Sequence, residues 1–395
     1  MTEVDDTALV RAVAAHGLAG SLAAAPSEPL DPVEWRKLVA RAQKERIIPL
    51  LADAITSGSF PASDAQLVEA LDLETTAMAT VLTMEATLVQ VAETLARAGI
   101  PFRVLKGPAV AHLDYPDPSL RDFGDIDLLI HPDDLEHAIG ILLKHGYVRR
   151  FPEPRAGFDR RFTKSVSVVN PDGRELDLHR TLAAGVFGLR VKTRMLWEAP
   201  YAEFAVGGMT LHALGASERF MHACYHAALG NAPSRLVPQR DIAQILLRGS
   251  VDPDRVKALA EQWAGEAVIA HAIRTTWHTL QLTDIVALSA WAAKHTSQVR
   301  DQRELRRATS PGYTHTARAL DSLRAIHPLR DRLVYISAMA FPRRSYLNGR
   351  HSSIGSRVGH ALAELIAART YDQQMGHRTT RGILSAIAIT RESRD

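Results

Sequence analysis

At Gly99 the spacing of apolar residues changes period, and that change limits what the chain can build. From Asp6 to Gly99 the apolar residues recur at helical intervals. From Ile100 they form short, alternating stretches, and beyond about Ser217 the helical spacing returns. A pure helical bundle and a β-sandwich are both excluded by this order. It predicts an α+β protein: a helical N-terminal region over 1–99, a small mixed-sheet core over 100–210 and a helical C-terminal region over 211–395.

Asp31-Pro32 offers an N-cap followed by a first-turn proline, opening an amphipathic run from Val33 through Ile55. Ser57-Gly58 and Pro61 stop it before a long helix from Asp64 to Arg97, so two or three helices are expected ahead of the core. No apolar stretch reaches the ~18 residues that a membrane helix requires, so no span is expected. The acidic start Met1-Thr-Glu-Val-Asp-Asp lacks the positive charge of a secretory signal. With Cys224 as the single cysteine, no intrachain disulfide and no cysteine-rich metal site can form, and a reducing cytoplasm fits best.

The chemistry concentrates in the core. Ile100 to Leu105 reads as a strand ended by Lys106-Gly107-Pro108, and Asp125 to Ile130 reads as a second. His131-Pro132-Asp133-Asp134 can cap a helix from Leu135 to Lys144. Arg161 to Val169 and Glu175 to His179 alternate around the turn Asn170-Pro171-Asp172-Gly173, which predicts a hairpin.

In Asp125-Ile126-Asp127-Leu128, alternation sends both carboxylates to one side and the aliphatic residues to the other. Two like charges held that close need a cation, and hard oxygen donors suit Mg²⁺ or Mn²⁺. Glu175, Asp177 and His179 share one face of their strand, and Asp177 supplies a third acid. Three such acids can hold two ions roughly 3.5–4 Å apart, the spacing that clamps the attacking and leaving oxygens of a phosphoryl displacement. Asp177 is placed to assist deprotonation of an acceptor hydroxyl. Lys106-Gly107 follows a strand and opens a helix, so backbone N–H groups and an ammonium can meet phosphate. Arg121 can neutralise a departing pyrophosphate.

The order Leu105-Lys106-Gly107, Tyr115-Pro116, Arg121 to Asp127, then Asp177-Leu178-His179 resembles the uncharacterised bacterial nucleotidyltransferase family of the DNA polymerase beta superfamily. The resemblance spans roughly residues 30 to 250. It implies a polymerase-beta-like core and metal-dependent transfer of a nucleoside monophosphate from an NTP to an acceptor, with pyrophosphate released. Asp125, Asp127 and Asp177 match the metal-binding acids, and Gly107 matches the phosphate-binding turn. Gly107 is followed here by Pro108, which has no N–H to donate, so Lys106 carries more of the expected phosphate contact.

His222 and His226 lie at i and i+4, a zinc-site spacing without the companion glutamate of a metalloprotease. They are expected to pack near the active-site mouth or to contact acceptor, with Asp241 a partner for one of them. His179 is expected to be structural or to orient a metal-bound carboxylate. The acceptor expected is a hydroxyl, phosphate or similar group on a small molecule, peptide or natural-product intermediate. The alternatives are an RNA 3′ end, as a tailing toxin would use, and a catalytically silent nucleotide-binding module. A glycosyltransferase using Asp-x-Asp fits less well, because residues 1–99 read as helices rather than a nucleotide-binding βαβ unit. Lys plus Arg number 47 against 44 acids, a net +3 that does not favour a long nucleic acid. From Pro342 onward nine arginines and no lysine face four acids, a basic tail that keeps an anionic partner in view.

Overall fold

A computed structural model describes residues 6–230, 235–283, 286–310 and 313–348. Most of the basic tail therefore lies outside the described residues. Four helices precede the first strand: Asp6–Ala15, Pro32–Glu45, Ile48–Thr56 and Asp64–Arg97. Asp31 caps the second as expected, accepting from the backbone N–H of Val33 and Glu34. The run Val33 to Ile55 is two helices rather than one. Arg46 turns left-handed at φ 57°, and the Ile47 N–H bonds back to the Ala42 carbonyl before Pro49 restarts a helix. Asp64–Arg97 forms as expected, closed at its start by a reciprocal Ser63 and Gln66 cap.

Seven strands make one mixed sheet in the order β3-β4-β5-β2-β1-β7-β6. They are β1 (Phe102–Leu105), β2 (Ile126–Ile130), β3 (Val148–Arg149), β4 (Ser165–Val169), β5 (Glu175–His179), β6 (Tyr201–Val206) and β7 (Met209–Leu214). The expected hairpin is β4-β5, paired antiparallel. Its first strand begins at Ser165 rather than Arg161, because Asp159–Phe162 forms one helical turn stapled by the Thr163 hydroxyl donating to Asp159. Asp134 begins the helix Leu135–Lys144 without a side-chain cap bond, contrary to expectation.

The β6-β7 hairpin is absent from the sequence reading. Its signal was legible: Gly207-Gly208, both at positive φ, joins two alternating stretches, and paired glycines are what a two-residue hairpin turn requires.

Alternation divides the sheet between two cores. Ile126, Leu128, Leu176, Leu178 and Val166 pack with Leu88 and Leu95 of the long helix and Leu142 of the crossover helix. Leu105 and Leu129 face the other way, against Phe220 and Tyr225 of the helix Ala216–Leu229. The N-terminal helices share a third core with Val237 and Leu280, so the helical regions brace one another. Asp127 and His179 are thus carried on the face that meets the C-terminal helices.

Candidate active site

β2 and β5 run parallel with Asp127 opposite Asp177 and Leu129 opposite His179. In-register neighbours on one face bring side chains within contact distance. One ligand atom each of Asp127, Asp177 and His179 lies within 4.8 Å of the others. Asp127 is buried at 1 % exposure. A carboxylate there needs compensation, and it has two donors: Lys106 Nζ at 2.8 Å from Oδ2 and His179 Nε2 at 2.6 Å from Oδ1. Burial raises the pKa of this carboxyl, but the Lys106 ammonium and the His179 hydrogen bond outweigh it and hold the group well below the usual range. Asp177 accepts a hydrogen bond from the Ser167 hydroxyl of β4.

Asp125 stands just ahead of β2 and is exposed. It lies outside the trio of converging ligand atoms, and its Oδ2 is 3.4 Å from Lys106 Nζ. Lys106 therefore bridges Asp125 and Asp127, and supplies the cation that two adjacent carboxylates require. Its backbone makes this reach possible: at φ 46° it leaves β1 in a conformation that L residues seldom adopt and opens the helix Gly107–Asp114. Phe123 packs against Gly107 so closely that a Cβ there would lie 3.1 Å from its ring. The first turn of that helix leaves the N–H groups of Gly107 and Ala109 without an intrahelical partner, and Pro108 has none to offer.

His179 fits the orienting role. Burial, then repulsion from Lys164, lowers its pKa and favours the neutral ring, which leaves the Nε2 proton to donate to Asp127. His222 and His226 line up behind it, with ring centroids 6.2 Å apart from His179 to His222 and 6.5 Å from His222 to His226. Neither joins the converging donor group.

Arg121 has a partner other than the expected pyrophosphate. It is buried in a bidentate pair with Asp241, both contacts 2.8 Å, and the Tyr115 hydroxyl donates to the same carboxylate. Asp241 accordingly belongs to this pair and not to a histidine.

Lys164, immediately before β4, is a site residue that the sequence reading missed. Burial and repulsion from Lys106 lower its pKa, while Asp127, Asp177 and Asp125 oppose them, so its charge lies within electrostatic reach of the same acids. Only the hairpin register reveals it. The Lys164 carbonyl accepts from the Arg180 N–H, which fixes the residue beside the end of β5.

The donor set suits a divalent ion: the carboxylate oxygens of Asp127 and Asp177 are hard ligands, and an ammonium already stands between Asp125 and Asp127 where positive charge is required.

Asp127, Asp177 and His179 converge beside Lys106 and a helix start at a strand end, and this grouping is the candidate centre. Residues 31–281 match the family described as uncharacterised nucleotidyltransferase, and the chain belongs to that family. Among solved structures it is similar to an antigenic nucleotidyltransferase-like protein from Paracoccidioides brasiliensis, at 15% identity and a TM-score of 0.31, over 52% of this chain and 94% of that one. No curated protein matches the chain. Among the described residues no helix is long and apolar enough to cross a membrane.

Proposed function

We propose that the protein transfers a nucleoside monophosphate from an NTP to a hydroxyl on a small-molecule acceptor. The observation that carries this reading is the in-register pairing of Asp127 with Asp177 beside the Lys106 turn. Asp127 and Asp177, with Asp125 at the edge, would hold Mg²⁺ or Mn²⁺. When bound, the ion supplies charge neutralisation at the phosphates and acidifies a coordinated hydroxyl.

The remaining roles belong to the chain. Lys106, Lys164 and the first N–H groups of Gly107–Asp114 meet the triphosphate. His179 holds the Asp127 carboxylate in one orientation, and Asp177, steadied by Ser167, receives the acceptor proton. The acceptor oxygen forms a bond to the α-phosphorus as the bond to the β-phosphate oxygen breaks. Pyrophosphate leaves with that electron pair, and the proton passes from Asp177 to solvent.

Incubation with labelled NTPs, Mg²⁺ and a cell extract, followed by mass identification of the product, tests the reading. The expected result is pyrophosphate release that Asp127→Asn and Asp177→Asn each reduce roughly a hundredfold or more. Release unchanged by both substitutions contradicts it.

One observation favours a second reading. Lys106 already neutralises Asp125 and Asp127, and Pro108 removes an N–H from the phosphate seat, as a metal-free binding module would have it. Calorimetry with NTP discriminates: binding that Mg²⁺ does not strengthen belongs to the module, and binding that requires it belongs to the enzyme.

A further inference from the structure

A cavity of about 200 Å³ lies one side chain away from Asp177, which it reaches through Ser167. Its floor is β4, where Ser165 and Ser167 line it, and Ser167 is the residue whose hydroxyl donates to Asp177. Its sides are formed by Phe151, Pro152, Pro154 and Phe158 from one segment and Met339 and Tyr346 from another, with Arg149, Asp159 and Thr163 also in the lining. The two sides are joined: the Arg343 N–H donates to the Pro154 carbonyl at 2.8 Å, and Arg155 Nε to the Phe341 carbonyl at 2.8 Å. Beneath, Phe158 stacks on Tyr335 with centroids 5.5 Å apart, which stiffens the wall.

We propose that this cavity seats the planar ring of an uncharged small-molecule acceptor whose hydroxyl-bearing arm passes Ser167 to reach Asp177. The volume suits one ring system, since an apolar cavity of about 150 Å³ takes up benzene. Flat aromatic and proline side chains in the lining favour a flat guest, the Arg149 and Asp159 charges there are paired with one another, and the Ser165 and Ser167 hydroxyls lie where a polar arm would run toward Asp177.

Charge decides against a nucleic-acid end. Binding a strand calls for unpaired cations along its phosphates. The lining arginine, Arg149, instead holds Asp159; nearby Arg150 pairs with Glu175 and Arg161 with Asp331, and the Arg155 side chain is engaged by the Phe341 carbonyl. The fate of the hydroxyl rests on the nucleotidyl-transfer reading, whereas seating of the ring does not.

The test uses the full chain without metal or NTP, indole-3-ethanol as the ring-bearing probe, cyclohexylethanol as a non-planar control and a short oligoribonucleotide as rival. Saturation-transfer NMR is expected to show the indole protons in contact, with binding weaker for cyclohexylethanol. Met339→Trp, which fills the cavity, and Tyr346→Ala, which removes a wall, are each expected to weaken indole-3-ethanol at least about tenfold. Melting curves establish that both variants fold. Absence of ring contact in the wild type, equal binding by both folded variants, or binding of the oligonucleotide with a base displacing the indole overturns the proposal. Ring binding that persists where no nucleotide is transferred would remove the transfer reading alone. Transfer to a ring-bearing acceptor at an unchanged rate in both variants would remove the cavity alone.

Discussion

Lys106 Nζ lies 2.8 Å from Asp127 Oδ2 and 3.4 Å from Asp125 Oδ2, so one ammonium bridges the two acids that the sequence places two residues apart. Burial favours loss of its proton, but Asp127 and Asp125 outweigh that and push its pKa up. This cation and an incoming divalent ion compete for the same oxygens.

Lys106→Met, which keeps the side-chain length, is therefore expected to bind Mn²⁺ roughly tenfold more tightly than the wild type. Without metal it should melt lower, because Asp125 and Asp127 then repel one another with no cation between them. Melting with and without Mn²⁺ reads both effects, since a ligand that binds the native state stabilises in proportion to its affinity. An equal Mn²⁺ response in the two proteins would show that the ammonium does not occupy the ion's position.

Gly107 matters through Phe123. A Cβ at residue 107 meets the buried Phe123 ring at 3.1 Å and its Cβ at 3.2 Å, and a core ring yields only by shifting its neighbours. Gly107→Ala is expected to cost about 1–2 kcal/mol through overpacking. The double variant with Phe123→Leu should lose less than the two single variants added together, because the second change makes the room that the first needs. Denaturant titration of the four proteins checks this, and strict additivity would contradict it.

Arg121 and Asp241 form a buried bidentate pair that also satisfies the Tyr115 hydroxyl. Burial favours the neutral guanidine, but Asp241 outweighs it and keeps Arg121 charged. Arg121→Met strands a carboxylate in the interior and is expected to cost about 3–5 kcal/mol, with Arg121→Met/Asp241→Leu recovering much of the loss. In an active preparation, Arg121→Lys should leave the KM for NTP unchanged within about twofold, since the pair faces inward. A large rise in that KM would return Arg121 to the phosphates.

The central strands were legible because alternation is a local rule: Asp127 and Asp177 each sit among aliphatic residues that must turn to the core. Which acids meet is set by register between segments fifty residues apart, and there the reading was incomplete. It grouped Asp125 with the other two, whereas the strand begins after it and leaves it exposed. Arg121 looked available for phosphate because nothing near it in the chain announces Asp241, which a distant helix delivers. Lys164 was missed for the same reason, as its place beside the acids follows from the hairpin and not from its neighbours in sequence.

The histidines behind the site predict how stability depends on pH. For His222, burial, then repulsion from His179, Lys106 and His226, push the imidazole well below its ordinary value, with Asp127 opposing. For His226, burial, then Lys106, Lys164 and Arg121, act the same way, again against Asp127. A base whose pKa is depressed by folding binds fewer protons in the native state than in the unfolded one. The stability it contributes is therefore complete above the unfolded value, about 6.5, and is lost as pH falls toward the lower native value. The melting temperature should be flat between about pH 8 and 7 and decline below about pH 6.5. His222→Gln/His226→Gln should make the decline shallower without abolishing it, because His179 is depressed by burial as well and stays in place. Asp127, held well below its ordinary value, contributes with the same sign but only at much lower pH, outside this window. Melting curves across the range read the slope directly, and identical slopes in the two proteins would mean that the histidine pair does not carry the acid sensitivity.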